Sequence, residues 1–143
     1  MKRCDPCRVV LDTNVYVAAA FNPQSAAADV VCAVLGGRLR LVWDEPTAHE
    51  IRLILGRIPP ISWERFAGLF DAEKRFAGIV DPAWFGNVED PDDRKFAALA
   101  YAADATLITQ DDHLLRCRSG VGIRVVTPRE FVAQHAVLRG DGA

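Results

Sequence analysis

Short, dense apolar runs alternate along the chain with longer stretches whose apolar residues recur every three or four positions. The first kind reads as buried strands and the second as amphipathic helices. Arg8 to Leu11 is the first strand, ended by Asp12, and alanine-rich Asn14 to Phe21 follows as a helix. Asn22-Pro23-Gln24-Ser25 breaks that helix, and Ser25 caps a second running to Leu35. Val30, Val31, Val34 and Leu35 share its apolar face, Cys32 belongs to the core, and Gly36-Gly37 stop it. Leu39 to Trp43 is the next strand. Asp44 caps a helix with Pro46 in its first turn, where a missing N–H costs nothing. Ile51, Ile54, Leu55 and Ile58 keep helical spacing until Pro59-Pro60 end it. A further helix is expected over Ser62 to Ala77, with Trp63, Phe66, Leu69, Phe70 and Phe76 on its apolar side. Gly78-Ile79-Val80 reads as a short strand, and Asp81 to Glu89 as loop. Asp90 caps a helix that opens on Pro91 and runs to Ala103. Thr106 to Thr109 and Gly122 to Thr127 are the last strands, and Pro128 starts a closing helix that buries Phe131 and Val132.

Strands that alternate with helices predict a mainly parallel sheet covered on both faces. The expected fold is therefore a single three-layer α/β/α domain over residues 1–143, with flexible ends at 1–7 and 139–143. Half of the chain is hydrophobic and the net charge is −2, which excludes a protein that coats nucleic acid by bulk charge. No apolar run is long enough for a membrane span, and Asp12 and Asn14 interrupt the run from Val9 to Phe21, so neither membrane nor signal peptide is expected. The default location is cytoplasmic. The apolar surplus suggests spare surface around Val15, Tyr16, Ala19, Val31 and Val34, and hence self-association. Cys4 and Cys7 form a C-x-x-C, but no second pair completes a zinc site and no strand precedes it as in a redox motif. They read as free thiols.

Four carboxylates change this picture. Asp12 in LDTN and Asp111 in TQDD each follow an apolar run, and Glu50 and Asp93 lie in the opening turns of helices. In parallel sheets, ligands bind outside the carboxyl ends of the strands. Acids gathered there from distant segments repel one another and call for a cation. An all-oxygen set points to Mg²⁺ or Mn²⁺, and so to an enzyme acting on phosphate esters. Each acid also has a purely structural reading. Asp12 is placed to cap the next helix, and Thr47 to Glu50 matches a capping box. Glu50 nevertheless lies beside the core-facing stripe. In Glu89-Asp90-Pro91-Asp92-Asp93, Asp90 is the cap, Asp92 faces solvent, and Asp93 stands three residues before Phe96, where it points inward. Asp111 is nearer its strand end than Asp112. His113 is a candidate proton carrier or phosphate contact, whereas His49 and His135 read as surface residues.

In order, LDTN, the helical glutamate, DPDDRKFAALA, LITQDDHLL and VVTPREF resemble the PIN-domain family, from Val9 to Val132. The likeness is greatest to its VapC-like branch, the toxins of bacterial toxin–antitoxin pairs. It implies a ribonuclease with Asp12, Glu50, Asp93 and Asp111 as catalytic and metal-binding acids. Asp12 and Asp93 would be direct ligands, while Glu50 and Asp111 would orient water or hold a second ion. It further implies support from Thr13, Asn14 and Thr109, an RNA substrate, homodimers and an antitoxin partner, and the cap Asp90 is by its position a further supporting residue. Arg52, Arg94 and Arg116 are the basic residues nearest the acids in sequence and are candidate contacts to the RNA backbone. Gln110 departs from a usual glycine and His113 from a common second acid. Two alternatives stay open: an RNA-processing nuclease without an antitoxin, and an inactive RNA- or protein-binding scaffold. A phosphoacceptor receiver domain needs two acids after the first strand and a lysine after the last, and this chain has neither.

Overall fold

The computed structural model describes residues 7–116, 118–120 and 122–135. Four parallel strands, β1 (Cys7–Leu11), β2 (Leu39–Leu41), β3 (Thr106–Ile108) and β4 (Val125–Val126), lie in the order β2-β1-β3-β4. The helices are α1 (Thr13–Phe21), α2 (Ala26–Leu35), α3 (Glu45–Leu55), α4 (Glu64–Ala67), α5 (Pro91–Ala103), α6 (Asp112–Arg116) and α7 (Pro128–Gln134). Val9, Val10 and Leu11 are all buried although alternate residues of a strand face opposite ways, so helices cover β1 on both sides. α2 packs on β2, α1 and α7, while α5 packs on β1, β3 and α3. The sheet is thus the covered parallel sheet that the alternation predicts, here parallel at every pairing.

Strand order decides where chemistry is placed. From β1 the chain moves to β2 on one side, then returns past β1 to β3 and on to β4. The order therefore reverses between β1 and β3, which leaves a crevice at their carboxyl ends. Asp12 follows β1 and Thr109 follows β3, and Leu11 stands in register with Ile108. The two residues that begin the functional loops are neighbours across this crevice.

Several local expectations give way. Ser62 to Ala77 is not one helix: α4 is a single turn ending at Ala67, with Gly68 as its cap, followed by a 3₁₀ turn over Ala72–Lys74 capped by Asp71. Glycine and bulky aromatics are poor helix formers, and here the aromatics pack better without a helix. Phe70 contacts the rings of Tyr16, Trp43 and Trp63 at 5.9, 5.6 and 5.1 Å. Residues 78–80 form no strand, and Ile79 is exposed. α3 ends at Leu55, with Gly56 as its cap three residues before the prolines, and the 81–89 segment contains a 3₁₀ turn at Pro82–Phe85. On α2 the buried face runs through Ala27, Val30, Val31 and Ala33, which turns Leu35 and Cys32 outward. Of the apolar residues expected to supply a spare surface, Val15, Tyr16, Ala19 and Val31 are core and Val34 is half-buried against it. Cys7 opens β1 and so does not belong to a loose end, while Cys4, Cys117 and residues 139–143 lie outside the described residues. No single helix among the described residues is long and apolar enough to cross a membrane.

Phe70→Ala should open a void among three aromatic partners. A loss of about 2–4 kcal/mol in urea unfolding is expected. A change under about 0.5 kcal/mol would place this segment outside the cooperative core.

Candidate metal centre

The backbone N–H of Asp12 extends the sheet ladder by one bond, donating to the Ile108 carbonyl at 3.0 Å. The residue then serves as N-cap of α1, its Oδ1 accepting the Thr13 N–H at 2.7 Å. Its Oδ2 accepts the Thr109 hydroxyl proton at 2.7 Å. Thr109 is fully buried, and its Oγ1 accepts the Asp111 N–H at 2.9 Å. The hydroxyl has one proton to give, so this relay fixes its direction toward Asp12. Asn14 adds a second tie across the crevice: its Oδ1 accepts the Gln110 N–H at 3.0 Å. Asn14 thereby holds the backbone after β3 and no carboxylate.

α5 brings the next acid. Asp90 caps it by accepting the Asp92 N–H at 3.0 Å, and Pro91 fills the first position. One turn in, Asp93 is buried, and its Oδ2 has no hydrogen-bond partner. Asp12, Asp93 and Asp111 each bring an oxygen within 4.8 Å of the others. Asp90, Asp93 and His113 form an adjoining group at the same spacing. Asp111 is held in place by the N–H groups of His113 and Leu114, at 2.7 and 3.3 Å from its Oδ1. The His113 ring faces Glu89 at 3.5 Å and Asp111 at 4.0 Å.

Glu50 stands apart from the trio. The capping box of α3 is made by Asp44 and Thr47, not by Thr47 and Glu50, so Glu50 has no capping duty. Its side chain is largely buried and ion-paired with the Lys95 ammonium. It is close enough to raise the pKa of both Asp12 and Asp93. Lys95 carries no mark in the sequence beyond its place two residues after Asp93; the pair is 45 residues apart in the chain. Of the basic residues considered for RNA, Arg94 donates to the carbonyls of Val88 and Gly86, which pins the loop before α5. Arg52 lines a shallow 410 Å³ depression with His49 and Arg57, and Arg116 is exposed at the end of α6. Thr13 keeps its hydroxyl buried and without a partner.

Burial, above all, pushes the Asp12 carboxyl up to about 6, against the pull of its bonds from Thr109 and Thr13 and with help from Asp111 and Glu50. Burial likewise pushes Asp93 up to about 7, reinforced by Asp12, Asp111, Asp90 and Glu50. A buried oxygen without a partner, surrounded by acids, is a costly arrangement for a protein to keep. A hard divalent cation fits it: the donors are all oxygen, they converge, and one lone pair is unclaimed.

The PIN domain model matches residues 8–113, which include all four acids. This chain belongs to the PIN domain family. PIN domains are in general metal-dependent nucleases, so nuclease chemistry on a nucleic-acid substrate is the activity that this family membership implies. The PIN domain is also similar to an uncharacterized protein of Methanocaldococcus jannaschii, 26% identical over 145 residues that span 89% of this chain and 90% of the relative.

Both raised carboxyls bind protons more tightly folded than unfolded, where their value is 3.8. Folded protein therefore holds more protons between about pH 4 and 7, and stability from this pair falls as pH rises through that window. In chelator, the melting temperature should drop from pH 5 to pH 7.5, and Asp93→Asn should flatten the drop. Millimolar Mn²⁺ should raise the wild-type melting temperature more at pH 7.5 than at pH 5. An Asp93→Asn protein with the full wild-type pH slope would contradict this assignment.

Proposed function

We propose that this PIN domain is an endoribonuclease that hydrolyses RNA phosphodiester bonds with Mg²⁺ or Mn²⁺. The observation that carries the reading is the convergence of Asp12, Asp93 and Asp111, with one oxygen of Asp93 buried and without a hydrogen-bond partner. Asp12 and Asp93 are the residues that would hold the cation, with Asp111 closing the trio and Glu50 at its margin. The cation, when bound, would place positive charge on the scissile phosphate and make water a better nucleophile at neutral pH. Thr109 keeps Asp12 in its acceptor state and aims its outer oxygen. Asp90 sets the start of α5 and thereby the depth of Asp93. An inactive scaffold is disfavoured, because a protein relieved of catalysis would gain stability by losing these acids.

RNA as substrate, and a role as the toxin of a cytoplasmic type II toxin–antitoxin pair, rest on the motif likeness to that branch. Exposed Phe21 and Leu35, at the ends of α1 and α2, supply apolar surface suited to a homodimer or an antitoxin segment. The rival within the family, an RNA-processing nuclease without an antitoxin, has no observation of its own in its favour.

Cleavage of labelled RNA and single-stranded DNA, with Mn²⁺ or with chelator, tests the reading. Wild type should cut RNA only with the cation. Asp12→Asn and Asp93→Asn should each lose most activity with the fold intact, and Thr109→Val should lose about 10- to 100-fold. Unimpaired cleavage by either aspartate variant would sink the proposal, and preferential cutting of DNA would overturn RNA as the substrate.

A further inference from the structure

Lys95 carries a permanent positive charge that the structure ties directly to one of the acids proposed above. It lies on α5, two residues beyond Asp93, and its ammonium bonds Glu50 Oε1 on α3. Both side chains are largely buried, Lys95 23% and Glu50 16% exposed. Asp92, at 4.0 Å from the same ammonium, is a second carboxylate neighbour among the described residues, and it is exposed. Arg94, its neighbour in sequence, is spent on loop carbonyls, and the His113 ring stands 4.0 Å from Asp111 on the other side of the trio's acids. The convergent trio excludes Glu50, whose carboxylate nonetheless bears on Asp12 and Asp93.

Resting on the nuclease reading, we propose that Lys95 is a positioning residue that acts through Glu50. It anchors the fourth carboxylate at the margin of the centre, so that three acids converge on the cation and Glu50 is kept for the substrate side. The ammonium has a second consequence. A fixed positive charge beside the acids offsets part of their field and sets how tightly a divalent cation is held. A cation bound by four free carboxylates would be held more firmly and would share less of its charge with a phosphate.

Two features separate this role from a packing ion pair. First, loss of the charge should tighten cation binding, whereas loss of packing alone would not. Second, the catalytic effect should depend on Glu50 being present. Mn²⁺ binding measured by electron paramagnetic resonance, with kcat and KM on RNA and the melting temperature, should therefore be compared across Lys95→Met, Lys95→Arg, Glu50→Gln and the Glu50→Gln/Lys95→Met double variant. Lys95→Met should bind Mn²⁺ about three- to tenfold more tightly. It should lower kcat about tenfold or more with little change in KM. Lys95→Arg should restore both toward wild type, and in the Glu50→Gln background Lys95→Met should leave kcat unchanged. A Lys95→Met protein with wild-type Mn²⁺ affinity and kcat, whatever its melting temperature, would overturn the proposal. So would a kcat loss that simply multiplies in the double variant. If wild type binds Mn²⁺ yet cuts no RNA, the nuclease reading fails, while the Mn²⁺ affinities of the variants still decide whether Lys95 tunes the cation. If wild type binds no Mn²⁺, both fall.

Discussion

Three carboxylates, two of them buried, converge on one corner of the fold, and the rest of the structure is arranged around that constraint. Asp12, Asp93 and Asp111 come from the end of β1, the first turn of α5 and the loop after β3. Nothing in ordinary packing favours such a meeting, since like charges out of water repel and lose hydration. It persists because each acid is locked by a feature the fold needs anyway. Asp12 caps a helix and takes the Thr109 hydroxyl, Asp93 is carried inward by a capped helix, and Asp111 is held by two backbone N–H groups. Burial first, and then the neighbouring acids, push the Asp12 and Asp93 carboxyls up as that constraint requires.

The sheet explains why the corner is there. Reversal of strand order between β1 and β3 opens a crevice at their carboxyl ends, and the register aligns Leu11 with Ile108. The next residues of each strand therefore face one another. The hydroxyl relay from Asp111 through Thr109 to Asp12 then joins the two loops over a span of 97 residues. A fold that crossed over differently would have the same local caps and no cluster.

Features written in local pattern were legible before the structure. Strand ends, most helix caps and the inward phase of Asp93 follow from a few adjacent residues: Asp12 does end a strand and cap α1, and Asp93 is buried in the first turn of α5. The parallel sheet followed from alternation alone. What depended on distant partners was not legible. Residues 62–77 look helical by spacing, but Phe70 is claimed by Tyr16, Trp43 and Trp63 from three other segments. Cys32 and Leu35 sit on an apolar helix whose buried side is chosen by the neighbours it packs on. The Lys95–Glu50 pair joins two helices, and neither residue announces the other. The capping role assigned to Thr47 and Glu50 failed because Asp44, three residues earlier, takes Thr47 as its partner. Removing that duty strengthens the case that Glu50 serves the site.

The central claim is that the trio of aspartates is a cation seat and not merely a strained corner. Anomalous diffraction at the manganese edge, from a crystal equilibrated with Mn²⁺ at neutral pH, tests it most directly. The account predicts a strong peak within coordination distance of Asp12, Asp93 and Asp111, with Asp93 Oδ2 no longer without a partner. A well-ordered site with no peak there, and Asp12 and Asp93 close enough to share a proton, would contradict it.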